Sequence, residues 1–181
     1  MSLHAAAARV LHEWGAPDAE QQRLRTAYLA HLQAFPAAMW RRCHPDHLTA
    51  SSLVVDAGRG RVLLTLHRRL DRWLQTGGHC EPDDATLAEA ALREAREESG
   101  ITGLVIDPVP VLLSRHEVPC GPVRPAHHLD VQHVAIAPDG ATPSCGEESH
   151  DVAWFELDRL PESADESVNA LIRSAMARLG G

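Results

Sequence analysis

The stretch Gly77-Gly78-His79-Cys80-Glu81-Pro82-Asp83-Asp84-Ala85-Thr86 runs directly into Leu87-Ala88-Glu89-Ala90-Ala91-Leu92-Arg93-Glu94-Ala95-Arg96-Glu97-Glu98-Ser99-Gly100-Ile101. It reads as a glycine turn, an acidic loop and a helix. Thr86 and Glu89 have the spacing of a capping box, and Gly100 is placed to stop the helix. Within that helix Glu94, Glu97 and Glu98 stand at i, i+3 and i+4, so their side chains converge on one patch. Like charges at this spacing repel and weaken a helix unless a cation sits among them. Carboxylate oxygens are the natural ligands of a hard divalent metal. The competing explanation is an ordinary solvated face, with Glu89, Arg93 and Glu97 as i,i+4 pairs. The glycine turn, capping box, paired glutamates and glycine stop together weigh against it.

Working outward, residues 2–14 form an amphipathic helical pattern that Gly15-Ala16-Pro17 breaks. A second runs from about Asp18, a suitable N-cap, to Phe35, where Pro36 ends it. Short strands follow. Ser52–Asp56 and Arg61–His67 flank a Gly58-Arg59-Gly60 hairpin turn, and Trp73-Leu74-Gln75 leads into the glycines. After the glutamate helix, strands are expected at Val105–Ile106, Val109–His116, Leu129–Ala137 and Val152–Leu157, and a closing helix at about Ala164–Leu179. Strands interrupted by one central helix and closed by another suggest an α+β or mixed α/β sandwich. Two roles stay open for the N-terminal helices: capping the sheet, or forming a homodimer interface.

The 181 residues are enough for one domain with an added arm and a real core. A net charge of -8 argues against nucleic acid as the main partner, since such binders present a basic face. The basic cluster around Arg68-Arg69 suits a small anionic ligand better. Four scattered cysteines without a CxxC pair indicate neither a zinc ribbon nor a disulfide framework. No apolar run approaches membrane-spanning length and no signal-peptide pattern opens the chain, so a cytoplasmic protein is expected.

The segment 77–101 resembles the Nudix box. That motif passes from a glycine through a spaced glutamate to Arg-Glu, an aliphatic residue, one further residue, Glu-Glu, one residue, glycine and an aliphatic residue. Its second half matches Arg93-Glu94-Ala95-Arg96-Glu97-Glu98-Ser99-Gly100-Ile101, with Ala95 in place of a bulky aliphatic residue, which suggests a close helix–sheet contact. Its first half is irregular: the usual glutamate falls on Ala85 and the usual glycine on His79. A one-residue insertion in the acidic loop restores Gly78 to the glycine role, with Asp83 or Asp84 in place of the glutamate. Ordered similarity extends to Leu48–Ser51, Leu63–His67, Trp73–His79 and His128–Val131, in the manner of a bacterial Nudix subgroup with a helical N-terminal extension.

The resemblance implies a Nudix-type α/β/α sandwich. Its mixed sheet would carry the Nudix helix and a C-terminal helix over residues 48–181, after a helical extension at 1–47. It implies an Mg²⁺- or Mn²⁺-dependent hydrolase (a diphosphatase, or pyrophosphohydrolase) acting on a nucleoside diphosphate linked to another group, or a related small diphosphate. Glu94, Glu97 and Glu98, with the backbone carbonyl at Gly77 or Gly78, match the metal ligands, and Arg93 matches the arginine that orients a glutamate. Glu97 or Glu98 would serve as general base, as would a late-loop glutamate, Glu147 or Glu148. A Nudix-fold isomerase or a non-catalytic ligand-sensing module are the alternatives.

Twelve histidines is a high count, and His67, His79, His116, His127, His128 and His133 fall near expected strand ends or the glycine loop. Ordinary surface or core histidines explain most of them. His79 and His128 are the best candidates for contact with a substrate phosphate or a second metal. Trp73 and Cys80 read as packing residues rather than as a base-stacking platform and a reactive thiol.

Overall fold

Strand β1 (His47–Val55) is the axis of the molecule and is buried along its whole length. It is covered on both faces, its apolar Leu53, Val54 and Val55 at one end and its polar Thr49, Ser51 and Ser52 buried by hydrogen bonds at the other. The computed structural model describes residues 1–68, 70–119, 122–146 and 149–180. One edge of β1 pairs in parallel with β7 (Ala126–Ile136), in register from His47 with His128 to Val55 with Ile136. The other edge is divided between two antiparallel partners. The glycine strand β4 (Thr76–His79) takes residues 49–52, and β2 (Arg61–His67) takes Val54 and Val55.

The sheet grows outward from this centre. Strand β3 (Arg72–Leu74) and β8 (Ser149–Glu156) flank β2; β5 (Val105–Ile106) and β6 (Leu112–Val118) flank β7. The result is a mixed, curled eight-stranded sheet with helices on both sides. Strand β6 begins later than Val109 because Pro110 has no N–H to offer the ladder. Strand β7 begins earlier than Leu129, since His127 and His128 pair with Glu117 and His116.

Helix α1 (Leu3–Glu13) is capped by Ser2, and α2 (Ala19–Ala34) by Asp18, whose carboxylate accepts from the Gln21 N–H at 2.8 Å. Their apolar faces are buried within the chain: Leu3, Leu11, Tyr28 and Leu32 share one cluster with Leu48 and Ala50 of β1. Helix α3 (Leu87–Ser99) joins that cluster through Leu87, Ala90 and Ala91. Helix α4 (Glu166–Arg178), capped by Asp165, covers the alternate residues Leu53 and Val55 of β1. Ala95 of α3 is fully buried with Val54, Leu63 and Ala135, the close helix–sheet approach its small side chain foretold. Substituting Ala95→Leu there overpacks a dense interior, and the expected cost is about 1–3 kcal/mol, read as a lower urea midpoint.

His133 on β7 is fully buried, its Nδ1 is 3.1 Å from the Asp107 carbonyl, and its Nε2 has no partner among the described residues. Burial pushes its pKa down to about 4. The unfolded chain therefore takes up a proton near pH 6.5 that the folded chain refuses until about pH 4. This contribution to stability is complete above pH 6.5 and lost as the pH falls through that window, amounting to about 2 kcal/mol at pH 5. Urea unfolding at pH 7 and pH 5 is expected to show this acid sensitivity, and His133→Gln to show less of it.

Candidate active site

Strand β4 and helix α3 meet at two glycines. A Cβ on Gly77 would lie 2.2 Å from the Ser51 Cβ, so only glycine lets β4 press this closely against β1. A Cβ on Gly78 would lie 2.6 Å from a carboxylate oxygen of Glu94. Glycine at 78 thus makes the cradle in which the Glu94 carboxylate sits. Helix α3 holds that position because Thr86 Oγ1 accepts from the Glu89 N–H at 3.1 Å and Gly100 closes the helix with φ of 66°. The reciprocal half of the cap is displaced by one residue, with Glu89 accepting from the N–H of Ala85.

Arg93 joins these parts. Its guanidinium donates to Glu94 Oε1 at 3.0 Å, to Glu97 Oε2 at 3.1 Å, to both oxygens of Asp84 and to the His79 carbonyl at 2.9 Å. The cation that the glutamate cluster demands is, within the chain itself, this arginine. Burial works against its charge, yet the bonds to Asp84 and Glu94 more than offset that and raise its pKa further. Asp84 is buried and also accepts from the Glu81 N–H at 2.7 Å, whereas Asp83 and Ala85 are exposed. Of the two acidic-loop residues offered in place of a glutamate, Asp84 is the one drawn into the site, and it faces the arginine.

Glu94 is 14% exposed and Glu97 59%. Thr65 Oγ1 makes a long contact of 3.5 Å to Glu98 Oε2. Glu94, Glu97 and Glu98 border an open cleft of about 510 Å³ that also takes in Arg41, Gly78, His79 and Gly146. Gly146 lies against the end of α3, where a Cβ would meet the Glu97 carbonyl at 2.7 Å. Glu147 and Glu148, the late-loop candidates for general base, lie outside the described residues.

The sheet register turns the His79 and His128 side chains away from the glutamates, although His79 borders the cleft. Gly78 pairs with Ala50 and faces α3, so His79, paired with Thr49, faces the opposite side of the sheet. His128 pairs with His47, which shares the face of Thr49. The three histidines gather there, with ring centroids 4.9–5.2 Å apart. Burial, and then the neighbouring rings, push His79 down to about 4 and His128 to about 3; burial also lowers His47. His47 was not among the residues singled out from the sequence. The only signal for it is its place as first residue of a buried strand, legible once the pairing is known.

The other histidines have separate environments. His127 lies 3.0 Å from Asp46, and exposed His116 stands beside His128 at 5.4 Å between centroids. Trp73 packs edge-on against Phe155 at 4.8 Å, and Cys80 is a buried thiol whose pKa burial pushes up to about 12.

The sequence matches the NUDIX domain family over residues 45–176. The chain belongs to the Nudix hydrolase superfamily. Among curated proteins no match is found. Solved structures share the fold at low identity. A NUDIX-family hydrolase from Clostridium perfringens has a TM-score of 0.61 and 23% identity, covering 74% of this chain and 97% of its own. An Ap4A hydrolase from C. elegans has a TM-score of 0.59 and 20% identity, covering 74% and 98%. The NUDIX domain of Shewanella oneidensis NrtR, complexed with ADP ribose, has a TM-score of 0.57 and 19% identity, covering 85% and 97%.

Lysine cannot reproduce the forked contacts of Arg93 to strand, loop and helix. Arg93→Lys is expected to destabilise the fold by about 2 kcal/mol in urea titrations, since it strands Asp84 in the interior.

Proposed function

We propose that the protein hydrolyses a phosphoanhydride bond in a nucleoside diphosphate linked to a further group, with Mg²⁺ or Mn²⁺ as cofactor. The observation that carries this reading is the meeting of Glu94, Glu97 and Glu98 on one face of α3 over Gly78, where a cleft opens. An all-oxygen donor set suits a hard divalent cation, and the glycine cradle leaves room for carboxylate and backbone carbonyl to approach one point. When bound, such a cation neutralises the charge of a diphosphate and acidifies a water.

The chain's own groups divide the remaining work. Glu94, Glu97, Glu98 and the Gly78 carbonyl would hold the cation. Arg93 fixes the rotamers of Glu94 and Glu97 by charge-assisted hydrogen bonds. One of Glu97 and Glu98 accepts the proton of the attacking water. Glu148, outside the described residues, is an alternative base. Arg41, on the rim of the cleft, offers positive charge to the substrate phosphates. The volume suits a nucleotide-sized ligand. That solved relatives of the fold include one named for Ap4A hydrolysis and one holding ADP ribose supports a nucleotide-bearing substrate.

A phosphate-release screen over nucleotide sugars, dinucleoside polyphosphates, nucleoside triphosphates and coenzyme A is expected to find Mg²⁺-dependent turnover of at least one. Turnover of none, with tight metal-free binding of one, would instead identify a ligand-sensing module. On the best substrate, Glu97→Gln and Glu98→Gln are each expected to lower kcat roughly 100-fold or more. Stability should stay within about 0.5 kcal/mol of wild type, because relief of repulsion within the trio offsets the loss of the exposed Arg93–Glu97 pair. Activity nearly intact in both variants would overturn the metal assignment.

A further inference from the structure

The face of the sheet that turns away from α3 carries a histidine cluster that phosphoanhydride hydrolysis at the glutamates does not use. One ring nitrogen from each of His47, His79 and His128 lies within 4.8 Å of the other two. The Nε2 atoms of all three are buried and have no hydrogen-bond partner among the described residues. His47 is fully buried, and its Nδ1 lies 3.3 Å from the Cys43 carbonyl. Donation from Nδ1 to that carbonyl leaves the lone pair on Nε2, the tautomer of a metal-ligating histidine with an outer-shell partner. Leaving three such nitrogens unsatisfied costs free energy at each, and no group in the described residues offers them a proton or a lone pair.

We propose that His47, His79 and His128 form a binding site for a borderline transition-metal ion of the Zn²⁺ class, distinct from the hard-cation site at the glutamates. Donor chemistry separates the two: imidazole suits Zn²⁺, Cu²⁺ or Ni²⁺, whereas carboxylate and carbonyl oxygens suit Mg²⁺ and Mn²⁺. Tetrahedral coordination at about 2.0–2.1 Å sets ligand nitrogens roughly 3.3 Å apart, so the rings close inward on the ion by modest side-chain rotation. Three protein ligands leave a fourth position for water or for His116, which flanks His128 from the exposed side. Two residues along the same face, buried Asp130 accepts hydrogen bonds from Thr49, Ser51 and Gln132 and fixes the strands that present the rings. The ion would pin β1, β4 and β7 together at the end where Gly78 meets Glu94.

The test uses the full chain, stripped with a chelator and then titrated with Zn²⁺ or Co²⁺ in the presence of excess Mg²⁺. Expected are one equivalent of Zn²⁺ by elemental analysis and, for Co²⁺, the visible absorption of a nitrogen-ligated, low-coordinate ion. His47→Asn and His128→Asn should each weaken Zn²⁺ binding at least 100-fold. Glu97→Gln combined with Glu98→Gln should leave stoichiometry and spectrum unchanged, which separates failure here from failure of the hydrolase reading. No bound Zn²⁺ in the wild type, a Co²⁺ signal abolished by the glutamate changes, or undiminished binding in both histidine variants overturns the proposal. Should the histidine variants not fold, the wild-type stoichiometry and the glutamate variant decide by themselves.

Discussion

One guanidinium holds the site together. Arg93 is bonded at once to helix α3 through Glu94 and Glu97, to the acidic loop through Asp84, and to strand β4 through the His79 carbonyl. Without a cation among them, carboxylates at i, i+3 and i+4 would push one another outward. With Arg93 in place the repulsion gives way to charge-assisted bonds that fix where the Glu94 and Glu97 carboxylates point. The same residue ties the helix to the glycine strand, so the geometry of the site and the docking of α3 are one interaction seen from two sides.

Close approach of backbone is the second constraint. Gly77 lets β4 lie against β1, and Gly78 lets Glu94 lie against β4. From there the period of the strand does the sorting. Gly78 looks toward the glutamates and His79 toward His47 and His128, so adjacent residues serve opposite faces with different donor chemistry. Carboxylate oxygens gather on the helix side. Imidazole nitrogens gather where the parallel pairing of β1 with β7 brings His47 opposite His128.

Much of this was legible in the sequence because it is local. The capping box at Thr86, the stop at Gly100 and the spacing of Glu94, Glu97 and Glu98 depend only on helical geometry, and the helix forms where those signals lie. Asp18 likewise announced the start of α2, and Ala95 announced a close contact. The strand limits were less legible, because pairing decides them. Residues 126–128 joined β7 through their partners in β6 and, for His128, through His47 of β1.

The sequence by itself determined the helix, its carboxylate face and the family, since each rests on spacing along one continuous segment. Tertiary structure decided that Asp84 rather than Asp83 meets Arg93, that Arg93 is the internal counter-charge, and that His47 completes a triad with His79 and His128. The physical reason is the same in each case. A residue on a helix meets its i+4 neighbour by geometry, whereas residues 32 and 81 positions away from His47 meet it only because three strands share a register.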